Sequence, residues 1–353
     1  MAAITYSGLP DRIADVEMLD SMLSEPTEGV VEALAKLEGD ILILGCAGKM
    51  GPSLTMMAKR ASDMAGVKRR VIGVSLFASE QELREEKKLQ AMGIETIHCD
   101  FLDQEQLKAL PEVKNIMFMA GMKFGSTGAE ALTWAINTFL PGLVCKRFCN
   151  SRIVAFSSGN IYGLTPAQLG GPTEKAVPNP MGEYAISVLG RERMFEFYSK
   201  SLSIPVSIMR LNYAVEMRYG VLVDIAQTVF DGRPFDVTMA NANVIWQGDA
   251  NAMALRLFEN ASTPPFILNV VGPEMLSLRQ VAMQFGELMG KKVEITGAEA
   301  PEVLISNGQL GHRLYGYPRV GLQQMLIWIA DWVSRGGESL GKPTHFEVRD
   351  GKF

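Results

Sequence analysis

The sequence predicts an α/β fold in which helices cover both faces of a parallel, doubly wound sheet. Two observations predict it. Short runs that are apolar throughout, beginning with residues 40–44, alternate with helix-length amphipathic segments. A glycine-rich turn joins the first of these strands to the first helix of the alternation. The pattern becomes less regular after residue 213, which predicts a smaller α/β lobe at the C-terminal end.

The predicted elements follow one another in βα order. We expect strands at 40–44, 70–76, 94–98, 115–120, 152–156 and 206–211. We expect the intervening helices at 51–65, 80–92, 129–148 and 182–200. The C-terminal lobe is predicted to mix helices (249–260, 277–289, 320–335) with short strands (234–238, 266–270, 292–296). The domain prediction is a helical extension (1–39), a Rossmann domain (40–213) and a substrate lobe (214–353), with some lobe elements returning to the Rossmann domain.

Composition and charge exclude several classes of function. Of 353 residues, 47% are hydrophobic and 21% are charged, and the net charge is −5, so no nucleic-acid partner is expected. No apolar run approaches the length of a membrane span, and the N-terminus lacks the pattern of a signal peptide. Four cysteines and three scattered histidines predict reduced thiols, no metal site and a cytoplasmic location.

The turn after the first strand reads ILILGCAGKMG. Its first glycine, Gly45, permits a tight turn, Gly48 lets the main chain approach a pyrophosphate, and Gly51 lets the helix pack closely on the strand. The helix that follows directs its N-terminal N–H groups at the phosphates. The turn, with Cys46, Lys49 and Met50, therefore predicts a dinucleotide site in a Rossmann domain.

The end of the second strand bears on the choice between NAD and NADP. An NAD site commonly has an acidic residue there for the adenosine ribose, whereas this chain has Ser75. Serine leaves room for a 2′-phosphate, and Lys49 could supply a cation to it. The cofactor is therefore expected to be NAD or NADP, with a slight preference for NADP. The alternative is that Lys49 is a solvated side chain at a helix start.

Over residues 40–337 the chain resembles the extended short-chain dehydrogenase/reductase superfamily, in its UDP-galactose 4-epimerase-like epimerase/dehydratase branch. The motifs that carry the resemblance follow one another in the family's order. They are the glycine turn, HCDFLD (98–103), MAGMK (119–123), WAINTFLPG (134–142), FSSGNIYG (156–163), EYAIS (183–187) and RLN (210–212).

The resemblance implies roles for individual residues. It places Ser158 and Tyr184 in the catalytic serine and tyrosine positions, and Asn137 in the position of the family's helix asparagine. Tyr184 is also implied as a cofactor contact. Further cofactor contacts are implied at the ends of the third and fourth strands, namely Asp100, Phe101, Leu102, Ala120, Gly121 and Lys123. A homodimer through the helices 129–148 and 182–200 is implied as well.

One departure from the family concerns the charge beside the tyrosine. The family has a lysine four residues after the tyrosine, on the same helix face, and its charge lowers the tyrosine pKa. Here that residue is Val188. Three hypotheses follow: Lys123 replaces the charge, Tyr184 and Ser158 only orient the substrate while another group moves the proton, or the site has lost its chemistry.

The C-terminal lobe lacks the arginines that hold a nucleotide diphosphate in the related epimerases. Ala242 stands near the expected arginine, and Arg313 and Arg319 have a different arrangement from the later pair. This favours a smaller polar substrate, such as a sugar or sugar acid. Candidate substrate contacts are Asn160, Asn212, Arg218, Tyr219, Asn243, Trp246 and Gln247. For Arg218 the alternative is a surface salt bridge, and for Trp246 it is a core position.

Together these features predict an NAD(P)-dependent oxidoreductase or epimerase of carbohydrate metabolism that acts on a hydroxyl group. Ser158 would bind the reacting oxygen, Tyr184 would transfer its proton, Lys123 would supply charge and Asn137 would hold the local helix geometry. The competing hypothesis is a catalytically weakened protein that binds the cofactor and regulates a partner.

Overall fold

Seven parallel strands form a single sheet in the computed structural model, which describes residues 8–123 and 128–351. The predicted N-terminal extension begins at residue 1, so its first seven residues lie outside the described ones. The strands are β1 (Ile41–Leu44), β2 (Val71–Ser75), β3 (Glu95–His98), β4 (Asn115–Phe118), β5 (Arg152–Ser158), β7 (Val206–Leu211) and β12 (Phe266–Val270).

The order of the strands across the sheet is β12-β7-β5-β4-β1-β2-β3, with every neighbouring pair parallel. The chain runs outward from β1 through β2 and β3, then returns to β4 on the other side of β1 and runs outward again. This reversal opens a crevice beyond the carboxyl ends of β1 and β4. The structure therefore confirms the predicted doubly wound Rossmann sheet.

Helices cover the sheet and build the C-terminal lobe. In chain order they are α1 (Val16–Leu23), α2 (Glu28–Lys36), α3 (Gly51–Met64), α4 (Glu80–Ala91), α5 (Gln104–Ala109), α6 (Glu130–Trp134), α7 (Leu140–Arg147), α8 (Gly182–Leu202), α9 (Val221–Phe230), α10 (Gln247–Arg256), α11 (Leu278–Met289), α12 (Gln309–Tyr315) and α13 (Leu322–Ser334). The sequence pattern did not reveal α5, α9 and α12, of which α5 and α12 are short.

The helix predicted at 129–148 is divided. A π-helical turn at Ala135–Phe139 separates α6 from α7 and places the buried Asn137 at its centre. Such turns are rare and lie frequently at functional sites. Apolar periodicity cannot reveal one extra residue in a turn, which is why the sequence predicted a continuous helix.

The other strands are each two residues long, and they lie in the C-terminal lobe and in the segments that connect it to the main sheet. They are β6 (Thr165–Pro166), β8 (Ala214–Val215), β9 (Phe235–Asp236), β10 (Asn241–Ala242), β11 (Ile245–Trp246), β13 (Leu276–Ser277), β14 (Ile295–Thr296) and β15 (Glu302–Val303). The predicted strands 234–238 and 292–296 survive as the short β9–β14 pair. The predicted strand 266–270 is β12, which joins the main sheet beside β7.

Among the described residues, no helix combines the length and apolar character needed to cross a bilayer.

A buried ion pair fixes α8 against the sheet. The Arg210 guanidinium on β7 donates from Nη2 to Glu192 Oε2 at 2.7 Å and from Nε to Glu192 Oε1 at 3.0 Å. Both side chains are 3% exposed. Ser157 on β5 donates to the same carboxylate, and Arg210 also donates to the Tyr162 hydroxyl at 2.8 Å. The bidentate geometry therefore ties α8 to two neighbouring strands.

Removal of one partner of this pair leaves an uncompensated buried charge. We expect Glu192→Ala to lower the free energy of unfolding by about 3–5 kcal/mol, measured by urea denaturation. The matched control is Glu196→Ala, one turn further along α8, where the carboxylate pairs with Arg193 and Lys200 at the surface. That change should cost about 1 kcal/mol or less. Equal losses for the two variants would contradict the anchoring role.

Candidate active site

The glycine turn after β1 is shaped by close packing at two of its glycines. Gly45 has φ +90°, and a Cβ there would lie 2.7 Å from the Ala120 main-chain nitrogen. A Cβ on Gly51 would overlap the Cys46 carbonyl group. Gly48 differs, because a Cβ there meets only the Gly45 carbonyl oxygen at 3.4 Å and would otherwise point into open space.

A cavity of about 410 Å³ opens over this turn. We call it the larger cavity. The first turn of α3 carries no acidic residue, so the positive end of the helix dipole faces the cavity without a carboxylate on its own turn. The lining residues are Asp20, Ala47, Gly48, Lys49, Pro52, Ser53, Met56, Ser79, Gln81, Glu82, Glu85, Met119, Gly121, Met122, Lys123, Arg218, Tyr219, Leu340 and Lys342. These features fit the diphosphate of a dinucleotide.

A smaller cavity of about 160 Å³ lies at the carboxyl ends of β5 and β7. It shares Lys49, Lys123 and Tyr219 with the larger cavity, so the two are adjacent. Its other lining residues are Met50, Ser157, Ser158, Asn160, Tyr184, Leu211, Asn212, Tyr213, Ala214, Gly220, Val221 and Thr344. The structure therefore brings together six of the predicted substrate and catalytic residues at the smaller cavity, namely Ser158, Tyr184, Lys123, Asn160, Asn212 and Tyr219.

The hydroxyl groups of Ser158 and Tyr184 form the polar centre of the smaller cavity. The two side chains are hydrogen-bonded to each other. Ser158 ends β5, and its Oγ also accepts a hydrogen bond from the Asn160 main chain at 3.2 Å. Burial raises the pKa of Tyr184, while the nearby Arg191 cation and the hydrogen bond from Ser158 lower it; the net shift is upward. Lys123 is not among the groups that shift this pKa.

Two lysines mark the junction of the cavities. Lys49 donates from Nζ to the Ala214 carbonyl oxygen at 2.8 Å, and its ammonium lies 4.6 Å from the centre of the Tyr219 ring. Lys123 donates to the Thr344 carbonyl oxygen at 3.2 Å. Burial lowers the pKa of Lys49 to about 7 and that of Lys123 to about 8. Each ammonium would therefore gain from an anionic group placed in the cavities.

Lys49 is not placed to supply the cation for a 2′-phosphate, which is the role that the sequence suggested. Its ammonium turns toward the smaller cavity, whereas Ser75 is buried at the end of β2 and lines neither cavity. It is also not the solvated side chain of the alternative hypothesis. Lys49 is therefore not placed to bind a 2′-phosphate beside Ser75, and the slight preference for NADP stays a prediction.

An apolar side chain, that of Val188, occupies the position of the family lysine and is packed in the interior. Val188 is 1% exposed and packs with Ile161, Tyr162 and Tyr184. Asn137, buried beside this helix, donates from Nδ2 to the Met122 carbonyl oxygen and accepts at Oδ1 from the Met122 nitrogen, each at 2.9 Å. It thus holds the segment after β4 and lines neither cavity itself.

Two predicted substrate contacts are corrected. Arg218 forms ion pairs with Asp20 at 3.2 Å and Glu216 at 3.3 Å, and it lines the larger cavity rather than the smaller one. Trp246 is 1% exposed and packs against Trp328, so it is a core residue. Trp246 therefore fits the alternative of a core position. Arg218 fits the alternative of a salt bridge, although its ion pairs are largely buried rather than at the surface.

Two further predicted substrate contacts are buried and form hydrogen bonds with other side chains. Asn243 accepts from Asn212 at 3.0 Å, and Gln247 donates to Ser53 at 3.0 Å; both are buried. Asn243 therefore orients Asn212 rather than lining the smaller cavity. Asp100, Phe101 and Leu102 line neither cavity, and their contact with adenine stays a prediction.

No sequence signal points to the residues that the chain termini bring to the cavities. Asp20 comes from α1, and Leu340, Lys342 and Thr344 come from the segment after α13. Thr344 is fixed by hydrogen bonds from its nitrogen and its hydroxyl to Asp224 at 2.8 and 2.6 Å. Neither terminal segment carries a recognisable sequence motif, so only the tertiary structure shows that these residues line the cavities.

Within the residues that the structure describes, no group of three or more histidine, cysteine, aspartate or glutamate side chains could hold a metal ion.

The sequence model of the NAD-dependent epimerase/dehydratase family matches residues 41–215. No curated protein sequence matches the chain. Solved structures share the fold. UDP-glucuronic acid 4-epimerase from Bacillus cereus with NAD is 17% identical with a TM-score of 0.69, covering 84% of this chain and 99% of that chain.

Two further structures are similar to the same degree. UDP-glucose 4-epimerase from Thermus thermophilus with NAD is 18% identical with a TM-score of 0.65, covering 83% of this chain and 98% of that chain. dTDP-glucose 4,6-dehydratase from Streptomyces venezuelae is 18% identical with a TM-score of 0.71, covering 84% of this chain and 97% of that chain. The family match confirms the resemblance drawn from the sequence and the expectation of an epimerase/dehydratase-type enzyme. Residues 41–215 therefore identify this part of the chain as a domain of the NAD-dependent epimerase/dehydratase family.

Proposed function

We propose that the protein is an NAD-dependent oxidoreductase or epimerase that acts on a hydroxyl group of a small polar substrate. The observation that carries the proposal is that Ser158 and Tyr184 line one cavity, which adjoins the cavity over the glycine turn. A substrate hydroxyl bound between the two side chains would lie beside a cofactor whose diphosphate rests on Gly48.

In this proposal the chain's own groups bind the reacting oxygen and move its proton. The nicotinamide ring of the bound cofactor would accept a hydride and return it. Ser158 holds the substrate oxygen by a hydrogen bond, and Tyr184, in its phenolate form, takes the hydroxyl proton as the carbon is oxidised and returns it on reduction. Asn160 and Asn212 line the same cavity and are the proposed contacts to further substrate hydroxyls. Lys49 and Lys123 favour a substrate with negative charge, such as a sugar acid.

The size and lining of the smaller cavity support a substrate without a nucleotide. Its volume is about 160 Å³, below the usual range of roughly 300–1,000 Å³ for sites that enclose larger ligands. Within the described residues, no arginine lines it. The similar solved structures include proteins named for UDP-glucuronic acid, UDP-glucose and dTDP-glucose, so nucleotide sugars are the comparison substrates in any test.

NAD is the proposed cofactor, because solved structures that share the fold contain NAD. Charge in the larger cavity does not distinguish NAD from NADP, since Asp20, Glu82 and Glu85 line it together with Lys49, Lys123, Arg218 and Lys342. The unpaired thiols of all four cysteines suit the proposed cytoplasmic location.

Because Val188 stands in place of the lysine, the alternative function is a protein that binds the cofactor and regulates a partner without turnover. A single experiment separates the two. Purified protein is loaded with NAD and incubated with sugars, sugar acids and nucleotide sugars, and products are resolved by chromatography while NADH absorbance is followed. A changed sugar supports the enzyme. Tight NAD binding with no product from any class would support the regulatory protein instead.

Gly48→Ala tests the cofactor cradle. The added methyl group meets only ordinary contacts in the fold but enters the space proposed for the diphosphate. We expect the Tm to stay close to that of the parent and the Kd for NADH, measured by fluorescence, to rise about tenfold. Gly51→Ala is the counterpart, because its methyl group overlaps the Cys46 carbonyl group and should lower the Tm. Unchanged NADH affinity in Gly48→Ala would place the cofactor elsewhere.

Tyr184→Phe tests the proton transfer. Because the hydroxyl is removed while the ring remains, NADH binding should persist and kcat should fall at least about a hundredfold. Ser158→Ala should reduce kcat as well, since the substrate oxygen loses a hydrogen bond. Full turnover by Tyr184→Phe would exclude the proton role.

We also propose a homodimer. The helices α6–α7 and α8 expose apolar side chains to solvent, among them Leu132, Phe139, Ile186 and Phe197. Phe139→Glu should shift the mass measured by light scattering from dimer to monomer. Leu169→Glu, at an exposed leucine outside these helices, is the control and should leave the mass unchanged. A monomeric parent protein would contradict the proposal.

A further inference from the structure

The helix that carries Tyr184 holds a second unusual residue on the same face. Tyr184, Val188 and Arg191 follow one another at spacings of four and three, so they lie along one side of α8. Arg191 is three residues beyond the position where the family lysine would stand, about 4.5 Å further along the helix axis. Side chains in a helix lean toward its N-terminus, which brings the guanidinium back toward the turn that holds Tyr184.

The hydrogen bonds of Arg191 fix this orientation. Nη1 donates to the Phe156 carbonyl oxygen at 2.8 Å, and Nη2 donates to Asn137 Oδ1 at 2.6 Å. Phe156 lies on β5 two residues before Ser158, so the guanidinium sits just behind the Ser158–Tyr184 pair. Gly121 permits the position, since a Cβ there would lie 2.5 Å from Nη2.

The charge of Arg191 is not neutralised by a carboxylate. It is 5% exposed, its hydrogen-bond acceptors are two carbonyl oxygens and one amide oxygen, and it takes part in no ion pair among the described residues. The neighbouring Glu192 forms its ion pair with Arg210 rather than with Arg191, although its charge also raises the pKa of Arg191. A buried cation of this kind is costly, and its field acts on any nearby group that can become an anion.

We propose that Arg191 supplies the positive charge that the family lysine supplies elsewhere and that it stabilises the phenolate of Tyr184 from behind the site. It is a positioning residue, because it lines neither cavity and acts through Tyr184. The Arg191 cation lowers the pKa of Tyr184. Burial lowers the pKa of Arg191 to about 10, against the opposing effects of Tyr184 and Glu192, so the side chain stays charged at neutral pH. An arginine keeps its charge at every working pH, which a buried lysine does not.

This inference rests on the proposed proton transfer by Tyr184, but its test requires no turnover. A difluorotyrosine is incorporated at position 184 of the full chain, and its protonation is followed by fluorine NMR as pH is raised. Fluorine lowers the pKa of a phenol, which brings the titration into a range where the protein stays folded. The midpoint is compared in the parent, Arg191→Gln, Arg191→Met and Arg191→Lys backgrounds, with circular dichroism to confirm folding.

Because a cation favours the phenolate, its removal should raise the midpoint. We expect Arg191→Gln and Arg191→Met to shift it upward by about one pH unit and Arg191→Lys to retain most of the parent value. Gln keeps a donor for the Phe156 carbonyl oxygen, so it separates charge from hydrogen bonding. Lys123→Met is the matched control and should leave the midpoint unchanged.

An unchanged midpoint in the folded neutral variants overturns the inference, and a shift in Lys123→Met alone assigns the charge to Lys123 instead. A protein that shows the Arg191-dependent shift but converts no sugar keeps this inference and loses the proposed function.

Discussion

The attachment of α8 to the sheet is the constraint on which the site depends. Glu192 binds Arg210 and Ser157, and the adjacent Arg191 binds Phe156 and Asn137. Two adjacent charged residues, both buried, thus fix the rotation of the helix about its axis. That rotation decides whether Tyr184 meets Ser158 at the end of β5. A slip of one residue would carry the phenol away from the cavity.

The same network joins the catalytic pair to the cofactor side of the crevice. Asn137 connects Arg191 to the main chain of Met122, and Met122 lines the larger cavity. The π-helical turn is what carries Asn137 to this point. Thus one hydrogen-bonded chain runs from the cavity that suits the diphosphate to the helix that holds Tyr184. We infer that the absence of the lysine is compensated within this network rather than from the substrate side.

Much of the fold could be predicted because the strands of the main sheet are mostly apolar and the turn glycines have distinct steric tasks. Ser158 and Tyr184 were found through ordered motifs. Arg191 was not, because its meaning depends on Val188 being buried and on acceptors from β5 and the π-helical turn. Trp246 and Arg218 were misassigned because a sequence cannot show that a tryptophan faces Trp328 or that an arginine meets Asp20 from the N-terminal helix.

A crystal structure of the protein with NAD is the decisive test of the proposed site. We predict that the nicotinamide ring enters the smaller cavity and leaves its reactive carbon within about 3–3.5 Å of the place for a substrate carbon whose oxygen contacts Ser158 and Tyr184. The diphosphate should rest on Gly48 and the first turn of α3. A nicotinamide ring that lies outside the smaller cavity, with Tyr184 out of reach of any substrate bound beside it, would contradict the proposed arrangement.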